Sequence, residues 1–416
     1  MATPVGDSFA VASGGVIAAG RFAMPSWAAG MAANTWTELA NTRLDVQGAA
    51  LIPAGAYLGS GPVAAMLDAY ADPVPKDGND EIDIFGGGHL DGSINGILRL
   101  NTRTLAYSLA VAPTPPSKYP PSYNAPNAPL VYPSGANPGY FSDALTDPAD
   151  VAYNAPFKAP TARHMYCAGA RRGNKIHYFY GGYIVADLDA GNWSELNTVD
   201  FGALLYAINN NYYNGPLGQG TAVVYDPVTD QFLISLVPGD MGYSWRVGFF
   251  RWNPNTQQIV SGSVVTGTGF AKSGMPMFRA GRYVYAFENN GVNTGWRYHL
   301  DNNTLEHLSI AGDTFAFTPG GSAECVATNY HAGRNSVIRW NYQDNISKLY
   351  EINLTPVSGS GTTGDPYVLT QTMRTIAGTP PASAVLNYRR IYYSQAANAL
   401  IFAPRASSNL FAVRLS

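Results

Sequence analysis

Charge is scarce in this chain of 416 residues: Asp, Glu, Lys and Arg together make up 13%, against the ~25% usual in globular proteins. The 25 basic and 28 acidic residues leave a formal net charge of −3. A chain so balanced has no long-range field to draw it onto nucleic acid or anionic lipid. Arg171-Arg172 and Arg389-Arg390 are isolated basic pairs, too sparse for a nucleic-acid groove. With 46% hydrophobic residues, a charged disordered chain is also excluded. Cysteine is nearly absent. Cys167 and Cys325 cannot make a disulfide scaffold or a cysteine zinc site; they read as two buried thiols, with a single bridge between them as the alternative.

No apolar run approaches the ~18–20 residues of a membrane-spanning helix. Met1 to Arg21 has no basic leader, carries Asp7 and interrupts its apolar stretch with Gly14 and Gly15, so it makes a poor signal peptide. Helical periodicity is also missing outside Phe201 to Asn210. There is no GxSxG nucleophile elbow, HExxH or P-loop. One GxGxxG match, Gly359 to Gly364, sits in a Ser/Gly/Thr stretch followed by Asp365-Pro366. A dinucleotide site needs a helix to open there, so the match reads as a loop.

Gly (44), Pro (29) and Tyr (27) are abundant. The first two break helices and the third favours pleated sheet, so composition predicts an all-β chain with many turns. Short apolar runs recur in a fixed order. The clearest are second strands of a repeating unit: 82–85, 176–180, 231–234, 283–287, 336–340 and 399–402. Hairpin turns precede most of them, at 172–174, 226–230, 280–282, 332–335 and 395–398. A second turn type, at 101–104, 253–256 and 301–304, opens with Asn or Asp, whose side chain accepts a backbone N–H two residues on.

Six units follow, with first strands near Ala64, Arg163, Thr221, Met275, Glu324 and Leu386. Their spacing, mostly ~50–60 residues, is that of four-stranded propeller blades. Residues 111–160 read as a Pro/Tyr-rich insertion packed on the propeller. The last unit ends after its third strand, Asn409 to Val413, while Thr35 to Leu39 is an unassigned strand near the other terminus. Pairing the two completes a six-bladed ring and removes a sheet edge. Residues 1–34 then form an Ala/Gly-rich arm, and residues 35–416 the propeller.

Phe85-Gly86-Gly87-Gly88-His89-Leu90-Asp91, followed by Asn95 to Asn101, resembles a kelch repeat. Pro160 to Tyr166 and Tyr180-Gly181-Gly182-Tyr183 resemble the next one. The likeness is carried by residues 80–185; the glycine pairs are missing elsewhere. It implies a kelch-type β-propeller like those of bacterial and bacteriophage proteins, with the galactose-oxidase-like fold. Copper enzymes of that fold use two Tyr, two His and a Cys. Here Tyr330-His331 and the two cysteines have no matching second Tyr and His, so no cofactor and no metal are expected.

Two groups of residues could carry function. His89, Asp91, Arg163 and His164, with His331 added, could act as acid and base or hold a cation at one mouth of a propeller. The bland alternative has Arg163 pairing with Asp91 to join blades. The aromatics Tyr212, Tyr213, Tyr243, Trp245 and Trp296 could offer flat faces to a glycan or a protein, or could simply pack. The expectation is a non-enzymatic bacteriophage virion protein, tail- or capsid-associated, displaying its propeller to a glycan, receptor or partner protein. Its arm would bind other virion proteins or a second copy, with no nucleic acid and no membrane insertion. The alternative is a carbohydrate-active lyase, hydrolase or oxidase with its site at the mouth, acting at a bacterial surface or outside the cell.

Overall fold

The computed structural model describes residues 23–52, 66–67, 72–76, 80–85, 96–113, 168–179, 183–197, 221–236, 246–266, 277–287, 293–314, 326–341, 347–381 and 390–416. Strand β1 (Trp36–Leu39) precedes the repeats. The first repeat holds β2 (Asp72–Pro75), β3 (Glu81–Phe85), β4 (Ile97–Asn101) and β5 (Ala106–Val111). The second holds β6 (Gly169–Arg172), β7 (Lys175–Phe179), β8 (Tyr183–Asp187) and β9 (Asn192–Asn197). Then come β10 (Ala222–Asp226), β11 (Gln231–Leu236), β12 (Arg246–Asn253) and β13 (Gln258–Thr266). The fourth holds β14 (Met277–Ala280), β15 (Tyr283–Phe287), β16 (Thr294–His299) and β17 (Thr304–Gly312). The fifth holds β18 (Val326–His331), β19 (Ser336–Asn341), β20 (Lys348–Ser358) and β21 (Tyr367–Thr375). Strands β22 (Ile391–Ser394), β23 (Ala399–Phe402) and β24 (Leu410–Arg414) finish the chain.

Each repeat is an antiparallel meander, and β1 adds to β24 as the fourth strand of the last sheet. Trp36 faces Val413 and Leu39 faces Leu410 in that register. The fourth and fifth meanders join into one eight-stranded sheet, because β17 and β21 pair in parallel from Leu308/Tyr367 to Gly312/Gln371. The fold is therefore all-β, built from packed four-stranded sheets in the manner of a β-propeller.

Side chains alternate across a strand, and here both faces are buried. Ile82 and Ile84 of β3 pack with Tyr392, Ile401 and Leu410 of the last sheet. Phe85 packs with Ile176, Tyr178 and Trp193 of the second. That explains why second strands read as continuous apolar runs. Further clusters join Phe179 and Tyr183 to Phe232 and Trp252, and Leu233 and Phe249 to Val284 and Trp296. Tyr285 and Phe287 meet Val337 and Ile352, and Ile338 and Trp340 meet Trp36, Leu400 and Phe402.

The turns follow from local chemistry. Those after first strands contain Gly173, Asp230, Gly281, Asn335 and Asn398, all with positive φ between 46° and 60°. Glycine enters that region freely, and Asn and Asp tolerate it. Asn101 accepts the N–H groups of Arg103 and Thr104, and Asn253 those of Asn255 and Thr256. In the fourth meander His299 takes this role, its Nδ1 accepting the Asp301 N–H. A backbone bond ties the two turns of a meander together: Thr102 to Asp80, Leu188 to Asn174, Leu300 to Arg282, Leu354 to Asn335 and Leu415 to Asn398. Pro254 holds the equivalent place in the third meander and has no N–H to give.

The structure shifts three boundaries. The first strand of the first meander is β2, from Asp72, and β6 begins at Gly169. Residues 23–34 are packed down, with Ala28 and Met31 in the core and the Trp27 indole donating to the Thr102 carbonyl. The Asp72 to Val111 sheet and the last sheet therefore hold residues 23–34, part of the segment expected to form an arm. Residues 1–22 of that arm, 114–160 of the insertion, the 201–210 segment and both cysteines lie outside the described residues.

Candidate functional site

The two ends of the sheets differ. In a meander, the turns after the first and third strands lie at one end, and the connections after the second and fourth lie at the other. Consecutive meanders share this sense. At the start of β6, the Gly169 N–H donates to Asp72 at the start of β2 (2.6 Å). At the end of β6, Arg172 pairs with Asp230 in the turn after β10 (2.5 Å). At the end of β10, Asp226 pairs with Arg282 in the turn after β14 (2.6 Å).

The short-turn end is bolted together by these pairs. Asp83, fully buried, takes Arg99 from its own sheet and Arg171 from the next, each at 2.7 Å. Asp226 takes Arg251 and Arg282 and also accepts the Thr229 hydroxyl. Burial alone would raise the Asp226 carboxyl, but bonds from Arg282, Thr229 and the Val228 N–H hold it below the ordinary value. Asp230 is opposed by burial in the same way, yet Arg172, Tyr225 and Asn255 bring it down to about 2. Glu351 accepts from Arg374 and Ser336, with Arg334 beside it. These carboxylates are occupied acceptors, and Asp226, Asp230 and Glu351 are each held as the anion by their partners.

His331 lies at the same end, and His177 in the middle of β7. His177 is buried against Phe232, and its Nδ1 is 2.7 Å from the Tyr183 hydroxyl. Burial, helped by the Arg172 and Lys175 charges, pushes its imidazole down to about 3. His331 closes β18 and bonds across to Asn398 in the turn after β22.

The other candidates attach at the far end. His89 and Asp91 follow Phe85, Arg163 and His164 precede Gly169, Tyr212 and Tyr213 precede Ala222, and Tyr243 and Trp245 precede Arg246. All eight lie outside the described residues; the strand ends that anchor them share one end of the sheets. His331 closes β18 at the opposite end of the sheets. Trp296 is 5% exposed in the core between the third and fourth meanders, so its ring offers no open face. The grouped carboxylates Asp83 and Asp226 were missed by sequence reasoning. A charge inside the apolar run Ile82-Asp83-Ile84 was the available signal, since charges are seldom buried unless paired.

Among the described residues, no group of three or more His, Cys, Asp or Glu side chains is placed to hold a metal ion. An open groove of ≈ 360 Å³ lies at the seam of β1 and β24, lined by Glu38, Arg43, Pro381, Pro404, Asn409 and Phe411 among others. Its polar groups are already engaged: Asn409 accepts the Thr42 N–H and donates to Glu38, while Arg43 pairs with Asp45.

No protein-family model matches the chain, and no curated protein matches it. Among solved structures, one described as "Crystal Structure of Mitotic Checkpoint Complex" is similar over 87% of this chain and 92% of that one, with 9% identity and a TM-score of 0.43.

Proposed function

We propose that the chain is a kelch-like, six-bladed β-propeller, closed into a ring by β1 on β24, that acts as a non-catalytic display platform in a bacteriophage virion. The ring is supported by clusters that join each meander to the next and the last sheet back to the first. The carrying observation for function is the division of labour between the sheet ends. One end is short turns locked by buried ion pairs. The other anchors the long segments that hold His89, Asp91, Arg163, His164 and the Tyr212, Tyr213, Tyr243 and Trp245 aromatics. Binding residues commonly ride on connections held by a rigid frame. Aromatic, weakly charged connections suit a cell-surface glycan, a receptor or a partner protein. The virion setting rests on the low charge and the kelch resemblance, and the N-terminal segment is its anchor to other virion proteins or a second copy.

Two measurements test this. Mass spectrometry of purified particles should recover the chain at a fixed copy number; finding it only in host fractions contradicts the virion setting. On a panel of surface glycans, the ligand should be retained unchanged through long incubation. Release of a product, abolished by His164→Ala, would establish a carbohydrate-active enzyme instead.

A further inference from the structure

The fourth strands form the outer edges of the sheets, since the first strands pack side by side, β10 beside β6 and β14, and β18 beside β14 and β22. An outer strand presents unpaired N–H and C=O groups, and folded proteins cover or blunt them. Most of the edges here are dealt with in this way. The Gln47 Oε1 accepts the Tyr107 N–H on β5 at 3.0 Å. Strands β17 and β21 cover each other. On the β1 edge, the Trp36 N–H donates to the Ala377 carbonyl and the Ala377 N–H to the Asn34 carbonyl. Strand β9 is short and carries both Glu195 and a bulge at Ser194.

Strand β13 is different. It runs for nine residues, Gln258–Thr266, and lies in a stretch with no Asp, Glu, Lys or Arg between Arg251 and Lys272. Among the described residues, no strand pairs with its outer side. A bulge at Val260 gives that residue no counterpart on β12 and leaves it 54% exposed. From Ser261 to Thr266 the register with β12 is unbroken, so every second residue of that run directs its N–H and C=O away from β12.

The strand's own sequence says what fits that edge. Outward from Gly262 it reads nearly the same in both directions: Ser261 and Ser263, Val260 and Val264, Ile259 and Val265, Gln258 and Thr266. Two such strands laid antiparallel about Gly262 set serine opposite serine and β-branched residue opposite β-branched residue, which suits a pleated sheet. No charge meets a like charge. A two-fold axis needs a patch that matches itself, and this strand supplies one. We propose that β13 is a dimerisation edge: two copies of the chain pair their β13 strands antiparallel about a two-fold axis at Gly262, merging the two third meanders into one eight-stranded sheet. Pairing of this kind covers Val260 and satisfies the outer backbone groups of both strands. The dimer depends neither on a virion setting nor on the N-terminal segment.

Sedimentation of the full chain over a dilution series should show a reversible monomer–dimer equilibrium. Val260→Lys puts a charge on the exposed edge and should weaken the dimer ~tenfold or more, with thermal unfolding of the monomer unchanged. In a background with Cys167 and Cys325 replaced, Gly262→Cys brings two thiols opposite each other at the axis, within reach of a disulfide. It should give a cross-linked dimer under mild oxidation, whereas Val228→Cys, 69% exposed in the turn after β10, should not. A chain that stays monomeric at every concentration overturns the proposal, even if hydrogen exchange finds the β13 amides protected, since the chain would then cover its own edge. A dimer indifferent to Val260→Lys, or equal cross-linking at both cysteines, overturns it as well. Should Gly262→Cys fail to fold, the comparison of Val260→Lys with wild type decides alone.

Discussion

Asp226 and Asp230 stand four residues apart, carry the same charge and do different amounts of work. The Asp226 side chain is 1% exposed and faces two arginines, one of them nearly as buried. The Asp230 side chain is 38% exposed. Removing a buried partner strands a charge in a poor solvent, whereas an exposed pair is screened by water. Asp226→Ala should therefore cost ~3 kcal/mol or more in urea unfolding, and Asp230→Asn, which removes the charge with a residue that tolerates the φ of 54° there, ~1 kcal/mol or less. Equal losses would show that burial does not set the value of these pairs. Histidine adds a pH dependence with a definite sign. The folded-state value of His177 lies near 3, below the ordinary imidazole value of ~6.5, so the unfolded chain binds the proton more readily. Its contribution is whole above the ordinary value and is lost as pH falls toward the folded one. Stability should drop by up to roughly 1.4 kcal/mol per pH unit across that window, and His177→Phe should flatten the slope. A wild-type stability curve that stays level from neutrality to about pH 4 would contradict this.

At the scale of elements, the hairpin β20–β21 departs most from its siblings. It runs on past the sheet, and its outer strand pairs in parallel with β17. Its tip folds over the neighbouring meander: the His307 N–H donates to the Gly361 carbonyl, and Thr363 meets the His307 Nε2. Below the tip, the Arg297 guanidinium lies between the faces of Tyr283 and Tyr367, at 4.4 and 4.2 Å, and is paired with Glu306. This clasp covers two sheet edges with each other, which protects both from stray pairing. The glycines of the GxGxxG match serve that tip. Gly359 has φ +92°, and a Cβ there would stand 2.0 Å from the Pro366 carbonyl oxygen, while Gly364 has nothing within 4 Å. Gly359→Ala should lower stability by ~1–3 kcal/mol, and Gly364→Ala should leave thermal unfolding within ~0.5 kcal/mol of wild type. If both substitutions behave alike, the tip conformation is not what the first glycine provides.

Local elements were legible in the sequence because their causes are local. The second strands at 283–287 and 399–402 coincide with β15 and β23, and Asn101 and Asn253 form their turns with their own side chains. His299 could not be anticipated in that role, since the adjacent Asp301 and Asn302 gave the stronger signal. Nor could Leu105 and Gln257, whose positive φ goes against their residue type. Here the surrounding hairpin dictates the backbone and the side chain accepts it. What the sequence withheld was partnership across distance. Arg171 and Asp83 are 88 residues apart, and no periodicity announces which carboxylate an arginine will meet. The same holds for the parallel β17–β21 pairing and for the contact of His331 with Asn398, 67 residues further along the chain.

At the scale of the molecule, the first and last strands of the chain share one sheet. Trp36 brings the opening strand into the core beside Phe402, ring centroids 4.5 Å apart. Leu39 reaches the cluster that holds Ile82 and Leu98 of the first sheet. The last sheet thus packs on the first as well as on the fifth, and its fourth strand comes from the other end of the chain. For the display platform proposed above, this closure would be the source of its rigidity. The most direct test is register-specific cross-linking across the seam. Thr37 and Ala412 are paired residues in adjacent strands, whereas Thr37 and Phe411 are offset by one and so point to opposite faces of the sheet. In a background with Cys167 and Cys325 replaced, Thr37→Cys with Ala412→Cys should form an intramolecular disulfide in nearly all molecules under mild oxidation. Thr37→Cys with Phe411→Cys should form little. Absence of the first cross-link, or equal yields from both pairs, would contradict a sheet shared by the two ends of the chain.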